Sequence, residues 1–187
     1  MTAPAILTVN AVPYRVLRLL GKGKGGYSWL VERDGSERVL KQLHHEPCDY
    51  YQFGDKLASE RADYARLTAA GIPVPELIDV DAPHERILKA YIPGPTVFDL
   101  VRDGMARPEH LASVRALSTR ACAAGLNLDW FPTNFIPQGD ALWYVDYECN
   151  AYDEKWSFET WGIRYWSRTP EFEAHLAKVD TASPPKP

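Results

Sequence analysis

The chain has 187 residues, a formal net charge of -4, 45% hydrophobic and 25% charged residues, and six Trp and ten Tyr. This is enough apolar and aromatic material for one ordinary domain or two small lobes sharing a cleft, and it excludes a disordered polypeptide. Interspersed acidic and basic residues leave no electrostatic footprint for duplex nucleic acid or an anionic membrane. No apolar run approaches the ~20 residues that span a bilayer. The start, Met1-Thr2-Ala3-Pro4-Ala5-Ile6-Leu7, lacks the basic and long apolar regions of a signal peptide. Cys48, Cys122 and Cys149 are odd in number, far apart and outside any metal-ligand spacing. The expectation is a reduced, cytoplasmic protein.

In chain order, Tyr14–Leu20 reads as a strand leading into glycines, and Tyr27–Arg33 as a second. Asp34-Gly35 is a strong hairpin signal before a third strand, Arg38–Leu43. A helix is expected from Gln52 to Ala70, closed by Gly71 with Pro73 beyond. Glu76–Asp81 and Arg86–Ile92 read as a strand pair, and Pro93-Gly94-Pro95 as a rigid boundary. Thr96–Asp103 reads as a short helix capped by Thr96. In Pro108–Ala124, Leu111, Val114, Leu117 and Ala121 recur at helical spacing, with Pro108 in the first turn and Gly125 at the close. Gly139-Asp140 separates two short apolar strands, placing Asn134 and Asp146 at opposite ends of one hairpin. Trp156–Lys178 reads as helix with a break at Pro170, and Ser183–Pro187 as a disordered tail.

Three sets of residues carry chemistry. Gly21-Lys22-Gly23-Lys24-Gly25-Gly26 has GxGxxG spacing. The last glycine opens a strand-like run, Tyr27-Ser28-Trp29-Leu30-Val31, rather than a helix. That context favours a flap over ATP phosphates and disfavours a dinucleotide site. A mobile hairpin tip with solvated Lys22 and Lys24 is the alternative. Lys41, in Val39-Leu40-Lys41-Gln42-Leu43, shares a strand face with Val39 and Leu43. Leu57, Glu60, Tyr64 and Leu67 share one face of the following helix, so Glu60 sits inside an apolar stripe. A carboxylate there needs a cation, and Lys41 is the candidate; a solvated Glu60 on a poorly packed helix is the alternative. Finally, Asp129, Asn134 and Asp146 come in order around a hairpin. Singly they are ordinary turn residues. Together, a carboxylate can orient and deprotonate a hydroxyl while a second carboxylate and an amide oxygen suit hard magnesium.

From Leu20 to Glu148 the sequence resembles the protein-kinase-like superfamily. It is most similar to the small atypical members: RIO-type kinases, the kinase subunit of the KEOPS tRNA-modification complex, and aminoglycoside or lipopolysaccharide-sugar kinases. Tyr91-Ile92-Pro93-Gly94-Pro95-Thr96 resembles their hinge and Asp146-Tyr147-Glu148 their Asp-Phe-Gly or Asp-Phe-Glu element. The resemblance implies an α+β, minimal bilobal fold. Its N-lobe, residues 1–92, would hold a five-stranded antiparallel sheet and one helix. A truncated helical C-lobe would span 93–179, and 180–187 would be tail. It implies ATP and magnesium, with Asp129, Lys41 and Glu60 catalytic, Asn134 and Asp146 metal-binding, and Gly21, Gly23, Gly26, Val39, Lys41 and Tyr91 binding nucleotide. The acceptor would be a hydroxyl of a protein Ser/Thr or of a small alcohol or sugar. The rivals are a pseudokinase scaffold with a protein partner, or the ATPase subunit of a larger complex.

The chain departs from that pattern at Ser28, at Lys89 and at Asn127-Leu128, which precede the candidate Asp129 in place of the usual His-Arg or His-Gly. Only 41 residues follow Asp146, so control by a phosphorylated activation segment is not expected. The aromatic-dense Tyr152–Trp166 stretch either closes the lower lobe or offers a substrate or partner surface.

Overall fold

The fold begins with a turn that the sequence disguises. Asn10 and Ala11 both adopt positive φ (48° and 66°), so a tight two-residue turn joins strand β1 (Ile6–Val9) to β2 (Val12–Lys22), with Val9 opposite Val12. Asparagine tolerates this region; alanine in the position usually given to glycine hides the signal. Asn10 anchors the turn, its N–H donating to Asp81 Oδ2 (2.8 Å) and its amide to Asp79 Oδ1 (2.9 Å). The expected sheet therefore gains a sixth strand. The computed structural model describes residues 5–23, 25–46 and 54–182. Lys24, Cys48, the start of the helix expected from Gln52, and the expected tail Ser183–Pro187 lie outside the described residues.

Strand β3 (Gly26–Arg33) turns through Asp34 and Gly35, both at positive φ, into β4 (Ser36–Leu43). Helix α1 (Lys56–Ala69) comes next, its first turn capped by Asp55, whose Oδ1 accepts from Ala58 N–H at 2.9 Å. Strands β5 (Leu77–Asp81) and β6 (Arg86–Ala90) complete a sheet in the order β1-β2-β3-β4-β6-β5, every described pair antiparallel. Strand β6 ends two residues before the expected Ile92. One face of this sheet is packed by Val9, Val31, Leu40 and Leu88, with Trp29, Leu7, Tyr14 and Val16 around them. Of the described residues, those within 5–65 and 75–91 belong to this first compact unit, and 66–74 and 92–182 belong to a second.

In the second unit, helix α2 (Val97–Arg102) is fixed by reciprocal capping. Thr96 Oγ1 accepts from Asp99 N–H, and Asp99 Oδ2 accepts from Thr96 N–H (3.1 Å). Helix α3 (Pro108–Ala123) buries Val114, Leu117 and Ala121 of the stripe read in the sequence, leaves Leu111 half-buried, and ends at Gly125 with φ 69°. Three short strands come next: β7 (Leu126–Leu128), β8 (Phe135–Gln138) and β9 (Ala141–Tyr144). Strands β8 and β9 form the expected hairpin. Strand β10 (Cys149–Ala151) pairs antiparallel with β7, an element too short for its alternation to stand out in the sequence.

The long helix expected over Trp156–Lys178 is not what forms. Two short 3₁₀ turns, Glu154–Trp156 and Gly162–Tyr165, precede helix α4 (Pro170–Ala182). Pro170 starts a helix rather than breaking one, with Thr169 Oγ1 accepting from Phe172 N–H at 3.1 Å. The aromatics of the stretch pack inward: Phe158 and Trp166 are buried, and Trp130 lies 5.9 Å from Phe158 between ring centroids. Trp156 and Tyr152 stay exposed.

This packing leaves no room at Gly162, where an added Cβ would lie 2.5 Å from Trp130 Cβ and 3.0 Å from Phe158 Cδ2. Gly162→Ala is expected to destabilise the protein by about 1–3 kcal/mol through overpacking, read as a lower urea midpoint; an unchanged midpoint would contradict the packing. A second expectation concerns His110, whose neutral Nδ1 accepts from Arg107 N–H at 3.2 Å. Burial, then the nearby Arg107 charge, lowers its pKa below 6.5. The unfolded chain therefore takes up this proton first as pH falls, so stability present above pH 6.5 declines as pH drops toward the depressed folded value. Urea midpoints at pH 7.5 and 5.0 should converge more in His110→Gln than in wild type.

Candidate active site

In the first unit, β4 presents Lys41 on the face opposite the Val9–Leu40 cluster. The neighbours on that face are Leu30, Val39, Leu43 and Ile87, all buried. Lys41 is 9% exposed, and its Nζ forms an ion pair with Glu60 Oε1 on α1. The two side chains are 11% and 14% exposed, while Glu60 Oε2 is buried without a hydrogen-bond partner among the described residues. Leu57 is buried on the same helix face, and Lys56 Nζ donates to the carbonyl of His44. Lys89 is also buried, directly opposite Val39 on β6, so this face carries two lysines. Tyr91 lies just past β6 and is half-buried.

The glycine stretch is tighter than the sequence suggests. Gly21 and Lys22 still pair with Ser28 and Tyr27, and the ladder ends at the Gly23 N–H bond to Gly26 carbonyl (2.9 Å). Gly21 and Gly23 face open space, where a side chain would meet nothing within 4 Å. Gly26 is different: a Cβ there would lie 2.4 Å from the Gln42 carbonyl oxygen. A Cβ on Gly25, a residue the sequence did not single out, would lie 3.9 Å from Lys41 Nζ. The loop is clasped at its side, with Lys22 Nζ 2.7 Å and Tyr27 hydroxyl 2.6 Å from the two Glu46 oxygens. Those two donors, Lys22 first, hold the Glu46 carboxyl down to about 2.

In the second unit, β7 delivers Asp129 and the β8–β9 hairpin delivers Asn134 and Asp146. Asn134 Nδ2 donates to the Asp129 carbonyl (3.3 Å), and the Asn134 carbonyl accepts from Val145 N–H (2.9 Å), the residue before Asp146. Asp129 Oδ1 accepts from Phe131 N–H at 3.1 Å, and Asp146 Oδ1 from Tyr147 N–H at 2.8 Å. Asn127, where the resemblance leads one to expect His, is buried and donates to the Asp153 carbonyl at 2.7 Å. Two supporting groups escaped the sequence reading, Gly25 and Tyr144. The second is fully buried, with its hydroxyl 3.2 Å from Asp129 N. Its only signal is alternation in Leu142-Trp143-Tyr144, which points it inward.

Among the described residues no group of three or more His, Cys, Asp or Glu side chains could hold a metal ion alone. Asp146 and the Asn134 amide oxygen are hard oxygen donors, the chemistry that magnesium takes. No described helix is long and apolar enough to cross a membrane.

No family model matches the chain, and no curated protein matches it in sequence. Among solved structures it is similar to the Mycobacterium tuberculosis PknI kinase domain. A cysteine-to-alanine variant of that domain matches with TM-score 0.50 at 21% identity, covering 79% of this chain and 63% of that one. Two further structures of the domain give TM-scores of 0.47 and 0.48 at 21% identity, covering 79% and 78% of this chain and 63% and 61% of theirs. The chain thus spans less than two-thirds of the solved kinase domain. The class so defined is a protein-kinase-like fold, mixed α+β with a curled antiparallel sheet.

The Lys41–Glu60 pair generates a mutant cycle. Lys41→Met strands a carboxylate inside the first unit and is expected to cost about 3–5 kcal/mol, whereas adding Glu60→Leu recovers much of that loss. Urea midpoints of the four proteins measure the coupling, and strictly additive losses would show that the pair contributes nothing.

Proposed function

We propose that this chain is an ATP- and magnesium-dependent kinase that transfers the γ-phosphoryl group to a hydroxyl acceptor. The observation that carries the reading is the arrangement around Asn134. Its amide nitrogen is committed to the Asp129 carbonyl, and its own carbonyl is bonded to the residue preceding Asp146. That turns the Asn134 side-chain oxygen into the available acceptor and keeps three oxygen-bearing groups in one framework. On a protein-kinase-like fold, such a framework suits phosphoryl transfer.

In this reading Asp129 orients the acceptor hydroxyl and takes its proton as the acceptor oxygen bonds to the γ-phosphorus and the bond to the β-phosphate oxygen breaks. The Phe131 N–H bond to Oδ1 fixes the carboxylate's direction. Asn134 and Asp146 would hold magnesium, which would supply positive charge against the phosphate oxygens. Lys41, restrained by Glu60, steers the α- and β-phosphates. Gly21, Gly23 and Gly26 let backbone N–H groups approach them, Val39 packs on the base, and Tyr91 borders it. The acceptor is a protein Ser/Thr or a small alcohol such as a sugar.

Magnesium and ATP together should raise the melting temperature, with a linkage gain of about 2.7 kcal/mol at 100 times Kd. Asp129→Asn should leave that shift nearly intact while lowering transfer from radiolabelled ATP by about 10²–10⁴-fold. Wild-type protein that shows the shift yet labels neither itself nor protein and sugar acceptors would instead support a nucleotide-binding scaffold. Phosphate release without labelling would support an ATPase subunit.

A further inference from the structure

The β7–β10 ladder pairs Leu128 with Cys149 and Asn127 with Asn150. Continued by one rung, it would pair Asp129 with Glu148. A side chain from elsewhere fills that rung. The Tyr144 hydroxyl, at the end of β9, accepts from Asp129 N–H (3.2 Å) and donates to the Glu148 carbonyl (2.7 Å). Asp129 and Glu148 are both exposed, yet the ring that joins them is 0% exposed, packed against Phe135 at 5.1 Å.

We propose that Tyr144 is a positioning residue. Its buried hydroxyl takes the place of a ladder hydrogen bond and locks the Asp129 loop to the Asp146–Glu148 segment at the point where the two strands part. The purpose of that lock rests on the kinase reading. The lock itself rests on connectivity. The N–H of Asp129 is held by Tyr144 and its carbonyl by Asn134, so both ends of the residue that presents the carboxylate are fixed. Tyr144 is itself fixed through its own N–H, which donates to the Pro73 carbonyl at 2.8 Å, and Val145 beside it is bonded to Asn134. A hydroxyl is needed here because it alone can accept from one strand and donate to the other; two backbone groups separated by a ring edge cannot meet directly. A misplacement of the Asp129 carboxylate by roughly 1 Å can cost on the order of 100-fold in rate.

Tyr144→Phe keeps the ring and removes the clasp. Two readouts are taken, with Phe135→Leu as a control that loosens the same packing and leaves the hydroxyl bridge in place. The first is amide hydrogen exchange at Asp129, which requires no activity: it should accelerate at least about tenfold in Tyr144→Phe relative to the control. The second is transfer or hydrolysis of radiolabelled magnesium-ATP. Turnover at saturating nucleotide should fall about 10- to 100-fold while the KM for ATP changes less than about twofold. An Asp129 amide that exchanges equally in both variants overturns the proposal, as does a turnover loss no larger than that of Phe135→Leu. If wild type shows no turnover, the kinase reading fails, and the exchange measurement still decides whether Tyr144 clasps Asp129. If Tyr144→Phe does not fold, wild type decides, because an Asp129 amide exchanging as fast as that of exposed Asp140 overturns the clasp.

Discussion

The ion pair between Lys41 and Glu60 organises the first unit, and it is an expensive way to hold a helix to a sheet. Both side chains are almost wholly removed from water, and one Glu60 oxygen has no hydrogen-bond partner among the described residues. Two apolar side chains of similar volume would fill the same space at equal or lower cost in free energy. The face of α1 turned to the sheet in this unit also buries Leu57 and half-buries Tyr64, while Lys56 bonds through its ammonium to a carbonyl. A charge pair added to such a face fixes position more than it adds stability. The surroundings agree with a positional role: Gly25, without a side chain, lies against the lysine ammonium, where any long side chain would crowd the pair.

The sequence disclosed that pair because it violated a local rule. Glu60 interrupts an apolar stripe and Lys41 an apolar strand, and each anomaly explains the other. Regular elements with strong punctuation were legible for related reasons: Asp34-Gly35 turns, Thr96 caps, and the Pro108–Gly125 helix carries its stripe, start and stop. The failures have physical causes. Ala11 adopts a conformation its side chain disfavours, made tolerable by the bonds of Asn10 to Asp79 and Asp81, so β1 left no trace. Strands β7 and β10 are three residues each, below the length at which alternation is meaningful. In the Trp156–Lys178 region aromatic residues recur at spacings that imitate a helix. What decides their conformation is tertiary: Gly162 must pass against Trp130, and Thr169-Pro170 starts a helix of its own.

On the proposed reading, Asp129 and Asp146 are turn residues and site residues at once. Asp129 Oδ1 bonds the N–H two residues on and Asp146 Oδ1 the N–H of the next residue, as ordinary turn aspartates do. The same bonds fix the direction in which each carboxylate points. From sequence the two roles look like alternatives, but one bond is compatible with both. Sequence could not supply the links between the Asp129 loop and the Asp146–Glu148 segment, because they run through Asn134 and Tyr144, whose partners are backbone groups that no side-chain pattern encodes.

Beneath this loop the second unit is built from rings. Trp130 stacks on Phe135 at 5.9 Å, Phe135 meets Tyr144 and Trp166 at 5.1 Å each, and the Trp166 indole Nε1–H donates to the Trp130 carbonyl at 2.8 Å. Rings have few rotatable bonds and bury large area, so a short chain can form a stiff platform from them without a large helical core. Trp130 directly follows Asp129, and Phe135 directly follows Asn134. Each of these two polar groups of the candidate site is therefore one peptide bond from a side chain locked into that platform. The alternation of a polar group with a buried ring is what lets this loop keep a fixed geometry. It also explains why Gly162 has no space for a methyl group: any expansion there pushes on Trp130, and through it on the residue that presents the carboxylate.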